Sequence, residues 1–378
     1  MKKALIFFLL ISNLVWAVPI QQMNRALNAM TVLVPFIADK ESFLQKKNEA
    51  IIMEQLNQIQ ATFKSVKHDP MIKNDIFSPS YKLIHQNLQE SIKSFKTNKK
   101  DYAHWRLKEL TSLCIDCHTR IPATKSSSFE LGKLSINPKN FKTSYSFGIA
   151  QLIVRRYNDA KSSFTQAIDE KLIKGDFDDL IDPFKQILLI DAKVLKNPSD
   201  MSLYIQHYLT KEKIPLGVQT RLQAWEKHLR VWNSKKYPTN EFKTDEDVKA
   251  FLTRIAEPIK QKASFEDEFD VDMLMISGLL SNYLFTHPNT PLAPDLNYWI
   301  GFSEKYLKHE NFFGSGDLFF KQCILKYPNH PMAKNCLQDY KESVTFEFSG
   351  SSGTHIPQEI LSEIEQLETF IKINSSKK

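Results

Sequence analysis

Residues 107–122 read LKELTSLCIDCHTRIP, and this stretch decides how the first part of the chain folds. Its apolar residues recur at steps of three and four, the period of one face of a helix. Cys114 and Cys117 fall on that face, and His118 follows directly. Pro122 cannot extend the helix far, because it lacks a backbone N–H. The sequence therefore predicts a helix that carries two thiols and an imidazole near its C-terminal end.

Three earlier segments show the same helical period, and short breaks separate all four. Short connections favour antiparallel neighbours, so residues 18–122 are predicted to form an up-down-up-down four-helix bundle. The four apolar stripes are Met23, Leu27, Met30, Val34 and Ile37; Ile52, Leu56, Ile59, Phe63 and Val66; Tyr81, Ile84, Leu88, Ser91 and Phe95; and Leu107, Leu110, Cys114, Cys117 and Ile121.

The spacing C-x-x-C-H is the attachment pattern of c-type haem. Each thiol adds to one vinyl group of the haem, and the histidine binds the iron. A zinc site needs four ligands, and no second Cys/His cluster has a suitable spacing. A thioredoxin-like dithiol follows a strand, whereas this motif ends a helix. A plain disulfide across the motif would not require the histidine. We therefore predict one covalent haem c at Cys114 and Cys117, with His118 as axial iron ligand.

Residues 20–122, with CIDCHTR at the end of the fourth helix, resemble the cytochrome c-prime class of four-helix-bundle monohaem cytochromes. The resemblance covers about a quarter of the chain. It implies thioether bonds at Cys114 and Cys117 and a proximal iron ligand at His118. It leaves the sixth ligand open, because members of the class have either an open distal site that binds small gases or a closed site used for electron transfer.

The sixth ligand is predicted from position along the bundle. The fourth helix of such a bundle ends beside the start of the first. His118 and Met23 each lie about 4–5 Å inside that end, at the helical rise per residue. Met30 lies two turns deeper, and His85 and His68 lie near the same end. We favour Met23, with Met30, His85, His68 and an open distal site as alternatives.

The first 17 residues have the pattern of a bacterial signal peptide. Lys2 and Lys3 precede an apolar run, and Val15 and Ala17 satisfy the small-residue rule before a cleavage site. The alternative is an uncleaved anchor, but the run is shorter than the roughly 20 apolar residues that a spanning helix needs. We expect cleavage after Ala17, export to the periplasm, and no stable membrane span in the mature chain.

Composition favours an all-α protein without nucleic-acid partners. Only 10 of the 378 residues are glycine, whereas a strand-rich chain of this length would need many turn glycines. The net charge of +7 comes without a concentrated Lys/Arg patch, which argues against nucleic-acid binding. No catalytic constellation is evident, so we predict no catalytic residues and no enzyme.

After the predicted linker at 123–140, helical stripes resume over 141–348. Gly148, Ala160, Phe164 and Ala167 have the spacing of a tetratricopeptide repeat. Gly316, Phe320, Cys323 and Pro328 repeat its later steps, after Tyr298, Trp299 and Gly301 on the preceding helix. Further helices are predicted near 176–196, 199–210, 215–232, 245–262, 268–286 and 292–308. A Ser/Gly loop and a capping helix at 357–372 complete the chain at 349–378.

This second region resembles a degenerate tetratricopeptide solenoid, which implies a concave face that binds another protein. We therefore expect an exported single-electron carrier whose repeats dock a redox partner protein or complex. Two alternatives stay open. One is a haem sensor of nitric oxide or carbon monoxide, and the other is an assembly scaffold with an accessory haem.

A second cysteine pair, Cys323 and Cys336, flanks the loop YPNHP almost evenly. Positions of this kind lie at the same height in an antiparallel helix pair, so the sulfur atoms could meet within disulfide geometry. The alternative is two buried thiols packed as small core residues. We predict a disulfide bond.

Overall fold

The computed structural model describes residues 23–122, 136–234, 237–239, 241–263, 269–309, 312–351 and 353–376. This part of the chain is mostly helical, as predicted. Its strands are β1 (Ser349–Gly350) and β2 (Gly353–Thr354), which pair antiparallel. The predicted signal peptide and most of the predicted linker lie outside the described residues.

The chain divides into two compact units. The first contains residues up to 118 together with 122–176, and the second contains 119–121 and the chain from 177 onward. The helices of the first unit are α1 (23–38), α2 (Lys40–Leu44), α3 (Glu49–Ser65), α4 (Ser78–Lys96), α5 (Lys100–Arg120, with its last two residues in the second unit), α6 (Ser144–Ile153) and α7 (Tyr157–Lys174), with short 3-10 turns at Lys46–Asn48, Pro70–Lys73 and Pro138–Asn140.

The apolar stripes of the first unit are buried, which explains why these segments form helices that pack together. Leu27 of α1, Leu56 of α3, Leu88 of α4 and Leu107 of α5 are all at most 2% exposed. The unit therefore has the amphipathic helices that the sequence predicted, and the apolar face of each helix is buried.

Direct bonds join these helices pairwise. Tyr81 of α4 donates to the carbonyl of Phe63 in α3 at 2.8 Å. Nε2 of His104 in α5 lies 2.8 Å from the carbonyl oxygen of Ile37 in α1. The α3 and α4 helices begin and end within about three residues of their predicted stripes, whereas α5 begins at Lys100, well before its stripe.

Helices α6 and α7 belong to the first unit, although the sequence grouped them with the later repeats. The reason lies in contacts with α5: the carbonyl of Ile153 and the hydroxyl of Tyr157 both bond to His118. Gly148 of α6 packs against Phe164 of α7, where an added Cβ would lie 2.6 Å from the ring. That close approach is the physical role of the first glycine in the predicted repeat.

The second unit follows the predicted helices closely. Its helices are α8 (Ile181–Leu188), α9 (Pro198–Leu209), α10 (Leu216–Asn233), α11 (Asp245–Phe251), α12 (Glu257–Lys262), α13 (Asp270–Thr286), α14 (Ala293–His309), α15 (Gly316–Lys326), α16 (Met332–Glu347) and α17 (Gln358–Ser375), with π-helical stretches at Leu189–Leu195 and Leu252–Ala256.

Helix α13 is the most deeply buried helix of the second unit. Every residue from Asp270 to Leu284 is buried, so this part of the helix has no solvent-exposed face. Burial on all sides is typical of a helix inside a domain. At α14–α15, Gly301 packs against Phe320, where an added Cβ would lie 2.8 Å from the ring. This contact repeats the one between α6 and α7.

Candidate functional site

The motif of the first unit lies on the last turns of α5, where the sequence placed it. Cys114 and Cys117 are three residues apart, so they share one face of the helix. Neither cysteine forms a disulfide bond, and both retain partial exposure. Burial is the main cause that raises the pKa of the Cys114 thiol, to about 12, with a smaller contribution from Cys117. Cys114 therefore stays a thiol at neutral pH.

His118 is buried, and one of its ring nitrogens is already engaged. Nδ1 lies 2.5 Å from the carbonyl oxygen of Ile153, the last residue of α6. A carbonyl can only accept, so Nδ1 carries the hydrogen and Nε2 carries the lone pair. Within the described residues, Nε2 has no hydrogen-bond partner. The imidazole is thus held in the tautomer that a metal ligand needs.

The surroundings also keep His118 neutral. Burial is the main cause that lowers the pKa of His118 to about 4, and the Arg155 guanidinium lowers it further. The hydrogen bond to Ile153 acts in the opposite direction. At neutral pH the imidazole is therefore unprotonated, which is the state that binds a metal ion.

Two residues that the sequence did not suggest hold the backbone of the motif. The hydroxyl of Tyr157 donates to the carbonyl of His118 at 3.1 Å and accepts from Nε of Arg155 at 3.0 Å. Nη2 of Arg155 donates to the carbonyl of Pro122 at 2.9 Å. Arg155 has a φ of 62°, in the left-handed region that non-glycine residues rarely occupy. The sequence signal was weak, because RRY between two helices looks like an ordinary connection.

The four predicted candidates for the sixth iron ligand differ in burial. Met23 is half-buried, Met30 is 2% exposed and His68 is exposed. His85 is half-buried, and its Nδ1 is buried without a hydrogen-bond partner among the described residues. No hydrogen bond or ring contact within that part of the chain joins any of the four to His118. The sixth ligand therefore stays a prediction.

The second cysteine pair is brought together in the second unit. The sulfur atoms of Cys323 in α15 and Cys336 in α16 lie 2.24 Å apart, and their Cα atoms lie 6.4 Å apart. Both residues are fully buried. This is the arrangement of a disulfide bond that closes the turn between the two helices.

Arg120, two residues after His118, belongs to the second unit and is fully buried. Its guanidinium donates to the hydroxyl of Ser315 and lies 4.6 Å from the centre of the Phe319 ring. Its Nε lies 4.0 Å from the carboxylate of Glu304, which also accepts from Lys193 at 2.6 Å. The end of the motif helix is thus part of a buried network of charges.

A cluster on α10 and α13 was not expected. Asp270 and Asp272, at the start of α13, are both buried. An acidic stretch of this kind is typical of the charged start of a helix, and α13 begins at Asp270. The side chains that bond to the two carboxylates lie along one stripe of α10: Arg221, Trp225, His228 and Trp232. Their spacing of four, three and four residues is that of one helix face, so this stripe could have been recognised in the sequence.

Two searches of the described residues were negative. No group of three or more His, Cys, Asp or Glu side chains lies close enough to hold a metal ion. No helix in the same part of the chain is long and apolar enough to cross a membrane.

The comparisons with known proteins give no assignment. No family model, curated protein or solved structure matches the chain. The residues of the site therefore carry the functional proposal.

Proposed function

We propose that the protein is an exported monohaem c-type cytochrome that carries single electrons. Cys114 and Cys117 would hold the haem through thioether bonds, and His118 would be its proximal iron ligand. The observation that carries the proposal is the state of His118. A neutral imidazole with Nδ1–H bonded to a carbonyl and Nε2 without a partner, directly after two same-face thiols, suits this group.

The donor chemistry also fits in detail. The thiols are partly exposed, so a macrocycle could reach both from one side of α5. Because burial raises the pKa of the Cys114 thiol, its addition to a vinyl group would need assistance, which agrees with a haem attached during maturation. Haem, when bound, supplies an iron that cycles between ferric and ferrous states.

Neighbouring residues would orient the ligand rather than take part in electron transfer. The carbonyl of Ile153 fixes the rotation of the imidazole and increases the basicity of Nε2. Tyr157 holds the backbone carbonyl of His118, and Arg155 holds both Tyr157 and the carbonyl of Pro122. This support limits movement of the ligand between oxidation states.

An up-down-up-down bundle is part of the proposal, and the contact between His104 and Ile37 supports it. Met23 lies 14 residues before Ile37, and His118 lies 14 residues after His104. In an antiparallel pair these equal separations, each about 21 Å of helix, bring Met23 to the level of His118. This supports Met23 as the sixth iron ligand.

The register of α4 against α5 is less favourable to His85. Asn87 donates to Glu109 at 3.2 Å, and Arg106 pairs with Glu90. These two pairs run in opposite directions along the helices, as antiparallel neighbours require. Their register sets His85 about 10 Å from the level of the motif histidine, at the helical rise per residue. We therefore favour Met23 over His85.

The repeat-like helices would dock a redox partner protein or complex. The support is the glycine–phenylalanine contact at α14–α15, since close helix pairs of this kind build tetratricopeptide-like arrays. The test of this part is capture: the full-length holoprotein should retain a redox partner in pull-down experiments that its Gly301→Leu variant fails to retain.

The central test uses mass and redox titration. The protein is produced in a host that matures c-type cytochromes, and the mass of the denatured protein is measured by mass spectrometry. We expect a mass of the chain from residue 18 plus one haem, and a reversible one-electron transition in the visible spectrum. A mass of bare polypeptide overturns the proposal. A covalent haem with no reversible transition, but with tight carbon monoxide binding, favours a gas sensor over an electron carrier.

A further inference from the structure

The second unit has a cleft of about 480 Å³ beside the first turn of α13. Residues of α10, α12 and α13 form its walls. Its polar lining consists mainly of Lys227, His228, Tyr237 and Lys262, while Ile259 and Phe269 contribute apolar surface. A volume of this size matches sites for small organic molecules.

His228 is held in a fixed orientation at this cleft. Its Nδ1 bonds to one carboxylate oxygen of Asp272, which is 3% exposed. The other oxygen of Asp272 accepts from Nε1 of Trp232 at 2.8 Å. The ring of Phe269 packs edge-on against the imidazole, with centroids 5.1 Å apart. Nε2 is therefore the nitrogen of His228 that is left to meet a ligand.

The described side chains that line the cleft carry an excess of positive charge. Lys227 and Lys262 are exposed, and neither makes an ion pair or hydrogen bond within the described chain. The negative side chain in the lining is Asp272, and both of its oxygens are already engaged. Burial raises the pKa of Tyr237, with Asp272 as a second cause, so its hydroxyl stays protonated and can donate. Two ammonium groups and one hydroxyl can thus donate at this cleft, next to apolar surface, and the imidazole offers the lone pair of its Nε2.

We propose that this cleft binds a phosphate monoester with a compact apolar body. Two ammonium groups match the negative charge of a phosphate monoester, and the hydroxyl of Tyr237 can donate to one of its oxygens. Nε2 of His228 can accept from the P–OH group of the monoanionic form. The side chains of Ile259 and Phe269 would cover the organic group. The proposal goes beyond electron transfer and does not depend on haem attachment.

The test uses phenyl phosphate as the probe, with calorimetric titration of the full-length holoprotein. We expect saturable binding at one site and weaker binding of inorganic phosphate, which lacks the apolar body. Lys227→Ala combined with Lys262→Ala should weaken binding by about tenfold or more, as expected for lost charge-assisted hydrogen bonds. His228→Asn, which keeps an amide near Nδ1 and lacks Nε2, should weaken it several-fold.

The matched control is Lys213→Ala combined with Lys334→Ala, two exposed lysines of the same unit outside the cleft. This control should bind phenyl phosphate as the wild type does. Absence of saturable binding overturns the proposal, and so does an equal loss in the control variant. Equal affinity for inorganic and phenyl phosphate overturns the organic part and leaves a simple anion site.

Discussion

The two cysteine pairs of this protein differ in almost every physical respect. Cys114 and Cys117 share one face of one helix, are partly exposed and form no disulfide bond. Cys323 and Cys336 come from two helices, are fully buried and have bonded sulfur atoms. One pair is open to chemistry with a further molecule, whereas the other is closed on itself.

The difference shows that spacing along the chain is a poor guide to the use of cysteines unless the helix geometry is known. The pair across the helical hairpin meets at Cα atoms 6.4 Å apart, which lies within the usual disulfide range. The pair on α5 is accompanied by an imidazole whose orientation is fixed from α6. Each pair therefore has its own set of testable consequences.

The largest expected effect separates the pairs by mass. Cys114→Ser combined with Cys117→Ser should lose all covalently bound haem, because no thiol remains to form a thioether bond. Cys323→Ser combined with Cys336→Ser should keep one haem per chain. Mass spectrometry of the denatured proteins, produced in a host that matures c-type cytochromes, checks both. Covalent haem in the first variant would contradict the assignment of the motif.

The next effect concerns the iron that the first pair would hold. Met23→Ala should remove a weak absorption band near the red end of the ferric spectrum and convert a low-spin iron to high spin, because the thioether ligand is lost. Visible spectroscopy measures this. Met30→Ala, about 10 Å deeper at the helical rise per residue, is the control and should keep the wild-type spin state. An unchanged low-spin spectrum in Met23→Ala, with a change in His85→Ala, would reassign the ligand to histidine.

The second pair should matter for stability. Cys323→Ser combined with Cys336→Ser is expected to lower the free energy of unfolding by about 3 kcal/mol, since the bond closes a short loop of the unfolded chain. Urea unfolding measures the change. A thiol reductant is the control: it should destabilise the wild type and leave the variant unchanged, while thioether bonds at the other pair survive. Two reactive thiols in denatured, unreduced wild type would show that the bond is absent.

The smallest effect tests the support of the first pair. Tyr157→Phe removes a buried hydroxyl that joins Arg155 to the carbonyl of His118. We expect a loss of about 1–2 kcal/mol in the free energy of unfolding, because buried polar groups lose their partner. Tyr102→Phe, at an exposed position of α5, should change it by less than about 0.5 kcal/mol. Equal effects of the two substitutions would remove Tyr157 from the support of the motif.

The helices of both units could be predicted from the sequence because their apolar period was regular and their breaks contained proline. The predicted range 215–232 became Leu216–Asn233, and 268–286 became Asp270–Thr286. The motif on α5 was readable for the same reason, since its three side chains are adjacent in the chain.

Long-range partners could not be predicted in the same way. The bond between His118 and Ile153 joins residues 35 positions apart, and no local pattern encodes it. Asp270 and Asp272 have the pattern of a charged helix start. The spacing of Trp225 and Trp232 indicates one face of α10, but the sequence does not show that this face meets the two carboxylates. Helices α6 and α7 were grouped with the repeats on spacing alone, whereas their contacts with α5 assign them to the first unit.

The membership of residues 119–121 in the second unit has a consequence for how the protein can be dissected. A gene fragment that begins at 177 lacks Arg120, and so removes the guanidinium that lies among Glu304, Ser315 and Phe319. A gene fragment cut in the polar segment after Pro122 would therefore not encode the whole second unit. A fragment of the second unit therefore needs residues 119–121 from the last turn of α5, and a peptide that supplies them in trans is the simplest way to restore the buried guanidinium.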